Sequence, residues 1–293
     1  MSSVTARRDL SDGQWELLRR WLPRPSRIGR PVARSRRTLV NGIAWRVRTG
    51  SPWRDLPACY GPWPTVYWLF RSWQRAGIWA LLWRSLQAIA RAQQRLTWEV
   101  GIDSTTARAH LAAAGARPTP LGDEPADHAL GRSRGGWSTK LHLVCDLAGY
   151  PLAAAITAGQ AHDSPQMIGL LESIRVPRLG GGRDRQRPDR VLADRAYSSR
   201  ANRTWLRRHQ IKATIPEPAD QIANRLRRGA RGGRPPAFDS DRYKDRSGVE
   251  RTIARLKQHR AVATRYDKLA VRYLATVHVA IISNWLRDIS NTA

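Results

Sequence analysis

Through its first hundred positions the chain repeats its apolar residues at intervals of three and four. In SDGQWELLRRWLP, Trp15, Leu18, Trp21 and Leu22 follow this spacing, with Ser11 or Asp12 placed to cap a helix and Pro23 and Pro25 to stop it. Leu39, Ile43 and Val47 repeat the pattern before Gly50, and Val66, Leu69, Phe70 and Trp73 repeat it in WPTVYWLFRSWQRAG. A fourth helix is predicted in IWALLWRSLQAIARAQ. Residues 1–95 therefore read as an all-α region. Its helices are joined by a basic loop, RPSRIGRPVARSRR, and a turn rich in Pro, Gly and Trp, SPWRDLPACYGPWP. Arginines on the outer faces suit either a DNA-reading module or a plain helical bundle with a basic surface.

The period changes near residue 98. TWEVGIDSTTARAH alternates, with Trp98, Val100 and Ile102 on one side, which predicts a strand ending at Asp103. After an irregular segment at 111–136, STKLHLVCD and YPLAAAITAG flank the turn DLAGY as a β-hairpin. DSPQMIGLLESI reads as a helix capped by Asp163 or Ser164, with Pro165 in its first turn. DRVLAD is a short buried strand ending at Asp194, YSSRANRTWLRRHQ a helix, and IKATIP another strand. YKDRSGVERTIARLK begins a helix, and one more helix closes the chain. Two basic loops interrupt this order, at 178–190 and 225–236. Strands alternating with helices after a hairpin predict an α/β domain with a mixed sheet over residues 96–293.

Composition narrows the partner. The 293 residues hold 51 Lys+Arg against 23 Asp+Glu, a formal net charge of +28, which points to nucleic acid, with an anionic membrane surface as the competitor. A hydrophobic content of 41% with 13 tryptophans excludes a disordered chain. Cys59 and Cys145 are far apart and form no CxxC, which favours a reducing cytosol and disfavours a structural zinc site. MSSVTARRDL has no apolar core of a signal peptide. The longest apolar stretch, YLATVHVAIISNWL, falls short of the roughly 20 residues that span a bilayer. The expectation is a protein of the cytoplasm with no membrane partner.

The acids carry the candidate chemistry. Asp103 and Asp194 each follow an apolar strand and precede a polar turn, in GIDSTT and VLADRAYSS. Ligand crevices in open α/β sheets lie outside the carboxyl ends of strands. Two carboxylates meeting there need a cation, or one must protonate. A hard divalent ion such as magnesium, which takes one or two carboxylates and fills its other positions with water and phosphate oxygens, is the natural solution. Tyr243, Arg246, Glu250 and Lys257 follow at steps of three, four and seven, one helical stripe beside an apolar stripe of Val249, Ile253 and Leu256. Glu250 is then either a surface partner of Arg246, worth about 0.2–0.5 kcal/mol, or a third ligand. Asp103 and Asp194 are either turn residues or ligands. His162 is either a hydrogen-bonded structural histidine or a neighbour of the catalytic site. Lys140 and the two basic loops are candidate phosphate contacts.

Tyr243, Arg246, Glu250 and Lys257 fit the signature Y-(2)-R-(3)-E-(6)-K without a mismatch. With GIDSTTARAH, LADRAYSS, GRSRGGWSTKLHLVCD, the AHDS at 161–164, GSPWRDLP and GPWPTVYWLFRSW, the chain resembles bacterial insertion-sequence transposases of the DDE class over nearly its whole length. A departure is Arg195, where that group often has lysine. The resemblance implies an RNase H-like catalytic domain preceded by a helical domain that binds DNA ends. It implies that Asp103, Asp194 and Glu250 bind two magnesium ions, for which manganese substitutes. Tyr243, Arg246 and Lys257 would hold the DNA, and Arg195 would keep the positive charge of the lysine it replaces. The implied reaction cuts at terminal inverted repeats and joins the freed 3′-hydroxyls to target DNA. The implied partners are double-stranded DNA and a second copy in a synaptic homodimer, at the bacterial nucleoid. A nuclease that does not join strands and an inactive DNA-binding descendant are the alternatives.

Overall fold

The computed structural model describes residues 9–23, 34–115, 124–133 and 135–290. The N-terminal segment before Asp9, residues 24–33 of the first basic loop and residues 116–123 of the irregular segment lie outside them.

Four helices come first, where the periodicity predicts them. In α1 (Asp12–Arg19), Ser11 accepts from the Gln14 N–H while the Gln14 side chain accepts from the Ser11 N–H, a reciprocal cap. In α2 (Arg36–Thr49), Ser35 caps the start, and Gly50 takes the left-handed φ of 70° that ends it. α3 (Trp63–Arg75) and α4 (Ile78–Ala92) complete the group.

The chain then builds a mixed sheet. Its strands are β1 (Glu99–Ala109), β2 (Gly131–Ser133), β3 (Gly136–Asp146), β4 (Pro151–Ala158), β5 (Arg190–Ala193), β6 (Lys212–Thr214) and β7 (Thr264–Arg265). The order is β2-β3-β1-β5-β6, with β4 also on β3 and β7 also on β1. β3 and β4 form the expected hairpin and run antiparallel, as do β1 and β3, whereas β1, β5 and β6 run parallel. The predicted end of the first strand at Asp103 is corrected: β1 continues to Ala109. β3 holds it in antiparallel register through Arg108↔Ser138, while β5 pairs with it only from Glu99 to Ile102.

Between and after the strands lie α5 (Leu111–Ala114), α6 (Gln166–Glu172), α7 (Arg200–Arg208), α8 (Ala219–Arg227), α9 (Ser240–Lys244), α10 (Ser247–Lys257), α11 (Arg260–Ala263) and α12 (Ala270–Ser290). The second basic loop is thus partly helical: Arg225 to Arg227 end α8, and a 3-10 turn follows at Gly229–Gly232. The sequence hint was Ile222 and Leu226, one helical turn apart behind Pro218.

One apolar core runs from the N-terminal helices through the sheet to α12. Trp83 Nε1 donates to the Pro151 carbonyl at 3.1 Å and Gln87 Nε2 to the Leu152 carbonyl at 3.1 Å, which fixes α4 to the start of β4. Trp285 of α12, 1% exposed, packs 4.7 Å from the Tyr150 ring in the hairpin turn. The described residues form a mixed α/β sheet flanked by helices, as the alternation of strands and helices predicts. Among them no helix is long and apolar enough to cross a membrane.

Candidate active site

The sheet register sets two acids side by side. Ile102 of β1 pairs with Ala193 of β5, and Asp103 and Asp194 are the next residue on each parallel strand. Asp194 Oδ1 accepts the Ala196 N–H at 3.0 Å, which opens a 3-10 turn over Arg195–Tyr197. Asp103 Oδ1 accepts the N–H of Ser104 at 2.8 Å.

The third acid arrives on α10. Gly101 lies two residues before Asp103, on the same face of β1. A Cβ at Gly101 would come within 3.1 Å of Val249, tighter than an ordinary contact, so glycine is what lets α10 lie this close to the strand. Glu250 follows Val249. Arg246 Nη1 reaches within 3.8 Å of Asp103 Oδ2, and its other nitrogen, Nη2, pairs with Glu250. The same guanidinium stands 5.6 Å over the Tyr243 ring. One cation therefore links two acids from distant parts of the chain, and the charge of Asp194 is felt by both Asp103 and Arg246.

The electrostatics follow from crowding. Burial pushes the Asp103 carboxyl up. Asp194 and Glu250 push the same way, against the Ser104 N–H and Arg246. At Arg246 burial works against the charge, but Tyr243, Glu250, Asp103 and Asp194 outweigh it and hold the proton more firmly than usual. Among the described residues no three acidic, imidazole or thiol groups stand close enough to cage an ion by themselves. The donor set nevertheless fits magnesium: three hard carboxylates share too little positive charge, and the ion needs only one or two of them beside its waters. Asp103, Asp194 and Glu250 are the residues that would hold it.

The signature residues do not share one unbroken helix, contrary to the single stripe expected from their spacing. Tyr243 belongs to α9 and Glu250 to the first turn of α10, with Asp245 and Arg246 between them in tighter i→i−3 turns. Lys257 ends α10, and its Nζ donates to the Thr106 carbonyl of β1 at 3.2 Å. Arg195 is exposed beside Asp194.

A fourth acid was missed. Asp163 was expected as a helix cap, but α6 starts on Pro165 without a side-chain cap. Asp163 instead accepts from Ser104 Oγ at 2.8 Å and lies 3.0 Å from Lys140 Nζ. Lys140, expected as a phosphate contact, also donates to the Ala161 carbonyl at 2.7 Å and is a partly buried partner of Asp163, its side chain 15% exposed. His142 stands opposite Ser104 in the β1–β3 register, fully buried, with Nδ1 3.6 Å from Asp163 and Nε2 2.8 Å from Thr157 Oγ1. Burial drives its pKa down to about 4, although Asp163 pulls the other way. The buried Tyr197 hydroxyl completes the group: burial, Asp163, Asp103 and Asp194 all raise its pKa, against Ser104. His162 itself is exposed and makes no hydrogen bond or ion pair among the described residues. Alternation on β3, which puts Lys140 and His142 on one face across from Ser104, was the available signal.

Two family models match the chain. "Putative transposase of IS4/5 family" covers residues 10–83, and "Transposase DDE domain" covers residues 95–285. The chain is 32% identical over 150 residues to the "Putative transposase for insertion sequence element IS6501" of Brucella ovis, covering 51% of this chain and 99% of that protein. It is 32% identical over 190 residues to the "Putative transposase for insertion sequence element IS402" of Burkholderia cepacia, covering 64% of this chain and 80% of that protein. A solved Mos1 transposase paired-end complex with left transposon end overlays 84% of this chain and 69% of its own, at 11% identity and a TM-score of 0.25. At that TM-score the overlay assigns no residues. The match over residues 95–285 spans more than half of the sequence, and the chain belongs to the transposase DDE domain family.

Proposed function

We propose that this chain is the transposase of an insertion sequence, cutting at the element's terminal inverted repeats and joining the 3′-hydroxyl ends to target DNA. The observation that supports this reading most is the meeting of Asp103 with Asp194 across the β1–β5 register and with Glu250 through Arg246. Asp103, Asp194 and Glu250 would hold two magnesium ions, or manganese in their place. The bound metal supplies a Lewis acid and a water of lowered pKa for in-line attack at phosphorus.

The chain's own residues do the rest. Arg246, held between Asp103 and Glu250, carries the guanidinium that would grip a phosphate in a charge-assisted pair. Tyr243 orients that guanidinium, while Lys257 and Arg195 add positive charge along the strand. In the first step a water oxygen bonds to phosphorus at the element's end, and the bond to the 3′-oxygen breaks. In the second step that 3′-hydroxyl attacks a target phosphodiester and expels its 3′-oxygen, so no external energy source is needed. Residues 1–95 bind the DNA ends and residues 96–293 carry the chemistry. Two ends held together call for a homodimer in the synaptic complex, acting at the bacterial nucleoid.

The test is Glu250→Gln. Magnesium-dependent cleavage of a DNA end falls by at least on the order of a hundredfold, while end binding in a gel shift stays within about twofold, because a neutral isostere leaves the basic surface in place. Cleavage at the wild-type rate contradicts the assignment. Supplying 3′-hydroxyl ends and plasmid with magnesium yields joined products from a transposase and none from a simple nuclease.

A further inference from the structure

Four residues beyond Asp194, Ser198 lines a cleft of about 830 Å³ between α7, β6, α8 and the 3-10 turn that follows α8. Its lining has two characters. Leu206 and Ile211, almost fully buried, back the cleft, and Ala213, Pro235 and Pro236 give it an accessible apolar surface. Around them stand arginines. Arg225 is already paired with Glu217 at 2.9 Å, and Arg203 is occupied by Ser198 Oγ and the Ile215 carbonyl, both at 2.8 Å. Arg200, Arg207, Arg228 and Arg234 are exposed and have no acidic partner among the described residues.

This combination selects among anions. Unpaired guanidinium groups around a cavity call for phosphates. An apolar surface among them calls for a ligand with a flat, weakly polar face. A duplex offers its phosphates outward but keeps its base faces stacked inside, so it would leave that surface unused. An unpaired strand offers both together, and basic grooves with apolar or aromatic platforms are how single strands are held. The cavity also lies within the roughly 300–1,000 Å³ that encloses a small ligand, the scale of a few nucleotides and not of a double helix.

We propose that the cleft between α7 and α8 binds an unpaired stretch of DNA strand leading away from the cutting centre. The choice of DNA rests on the reading of Asp194 as part of that centre. Arg200 and Arg228 hold its phosphates, and the bases lie against Ala213, Pro235 and Pro236.

The experiment uses the full chain without divalent cations, so that no probe is cut. Fluorescence anisotropy reads its affinity for labelled oligothymidylate and for a labelled blunt duplex, each over a salt series. In Arg200→Ala/Arg228→Ala, affinity for oligothymidylate drops about tenfold, and its salt slope becomes shallower by about 1.4, roughly 0.7 per lost phosphate contact. Duplex affinity changes by less than about threefold. Unchanged oligothymidylate binding, or an equal loss on both probes, overturns the proposal. Both arginines are exposed, and a melting curve checks the fold. Arg234→Ala, outside both helices, gives an independent reading with the same pattern and half the slope change. Magnesium-dependent cleavage by the wild-type chain is measured alongside. If it is absent, the transposase reading fails while the binding data still judge the cleft.

Discussion

α12 and α8 show how differently this chain uses its helices. α12 buries Tyr273, Val277, Ile281 and Trp285 in the common core and touches α2, α3, α4 and β4. α8 buries no residue, and its Leu226 is 69% exposed. The first kind of helix spends its apolar face on bracing the sheet. Val249 and Leu256 of α10 are buried in the same core, so Glu250 is presented from a rigid support. The second kind keeps its side chains in solvent, and its arginines line a cavity instead of filling one. The three acids sit on or beside the braced part, and the exposed arginines around the cleft sit on the unbraced part.

The largest expected effect tests the braced part. Trp285→Ala removes a ring that is 1% exposed and packed on Tyr150, and should cost about 3–5 kcal/mol in a urea melt. A loss under about 1 kcal/mol would mean that α12 does not brace the sheet. A pH effect of similar rank sharpens the same side. His142, held neutral by burial with its pKa down at about 4, takes up its proton more readily when unfolded, near the ordinary value of 6.5. Stability is therefore complete above about pH 6.5 and falls as pH drops toward about 4, by about 3 kcal/mol for this residue. His278, also pushed down to about 4 by burial, titrates in the same window. Denaturation at a series of pH values should show a shallower decline for His142→Gln than for the wild type, and an unchanged decline would contradict the burial argument. The smallest effect lies on the open side. Leu226→Ala should shift stability by no more than about 0.5 kcal/mol, and a cost like that of Trp285→Ala would erase the contrast between the two helices.

Local patterns carried much of this architecture. The four N-terminal helices, the β3–β4 hairpin and the short strand before Asp194 were legible because each buries a periodic apolar face. What escaped depends on distant pairing. Nothing near Asp103 says that β1 continues, since its second half is held by β3 and β7. α8 escaped for the opposite reason: a helix that buries nothing has little apolar period to read. At the candidate site Asp103 and Asp194 stood out after their apolar strands, and Arg246 and Glu250 in the signature. Asp163 was not, because a capping position explains an aspartate before Ser-Pro equally well. Only the fold brings Ser104, Lys140 and His142 around it. The place of Lys140 as a partly buried partner of Asp163 follows from the same pairing.

The central claim is that Asp103, Asp194 and Glu250 hold one divalent-cation centre. Fe²⁺ can take the place of magnesium at carboxylate sites, and with ascorbate and peroxide it cleaves the backbone beside its ligands. Mapping the fragments of the full chain by mass spectrometry should place cuts next to residues 103, 194 and 250, suppressed by excess magnesium and absent in Glu250→Gln. Cuts that fall elsewhere, or that persist unchanged in Glu250→Gln, would contradict it.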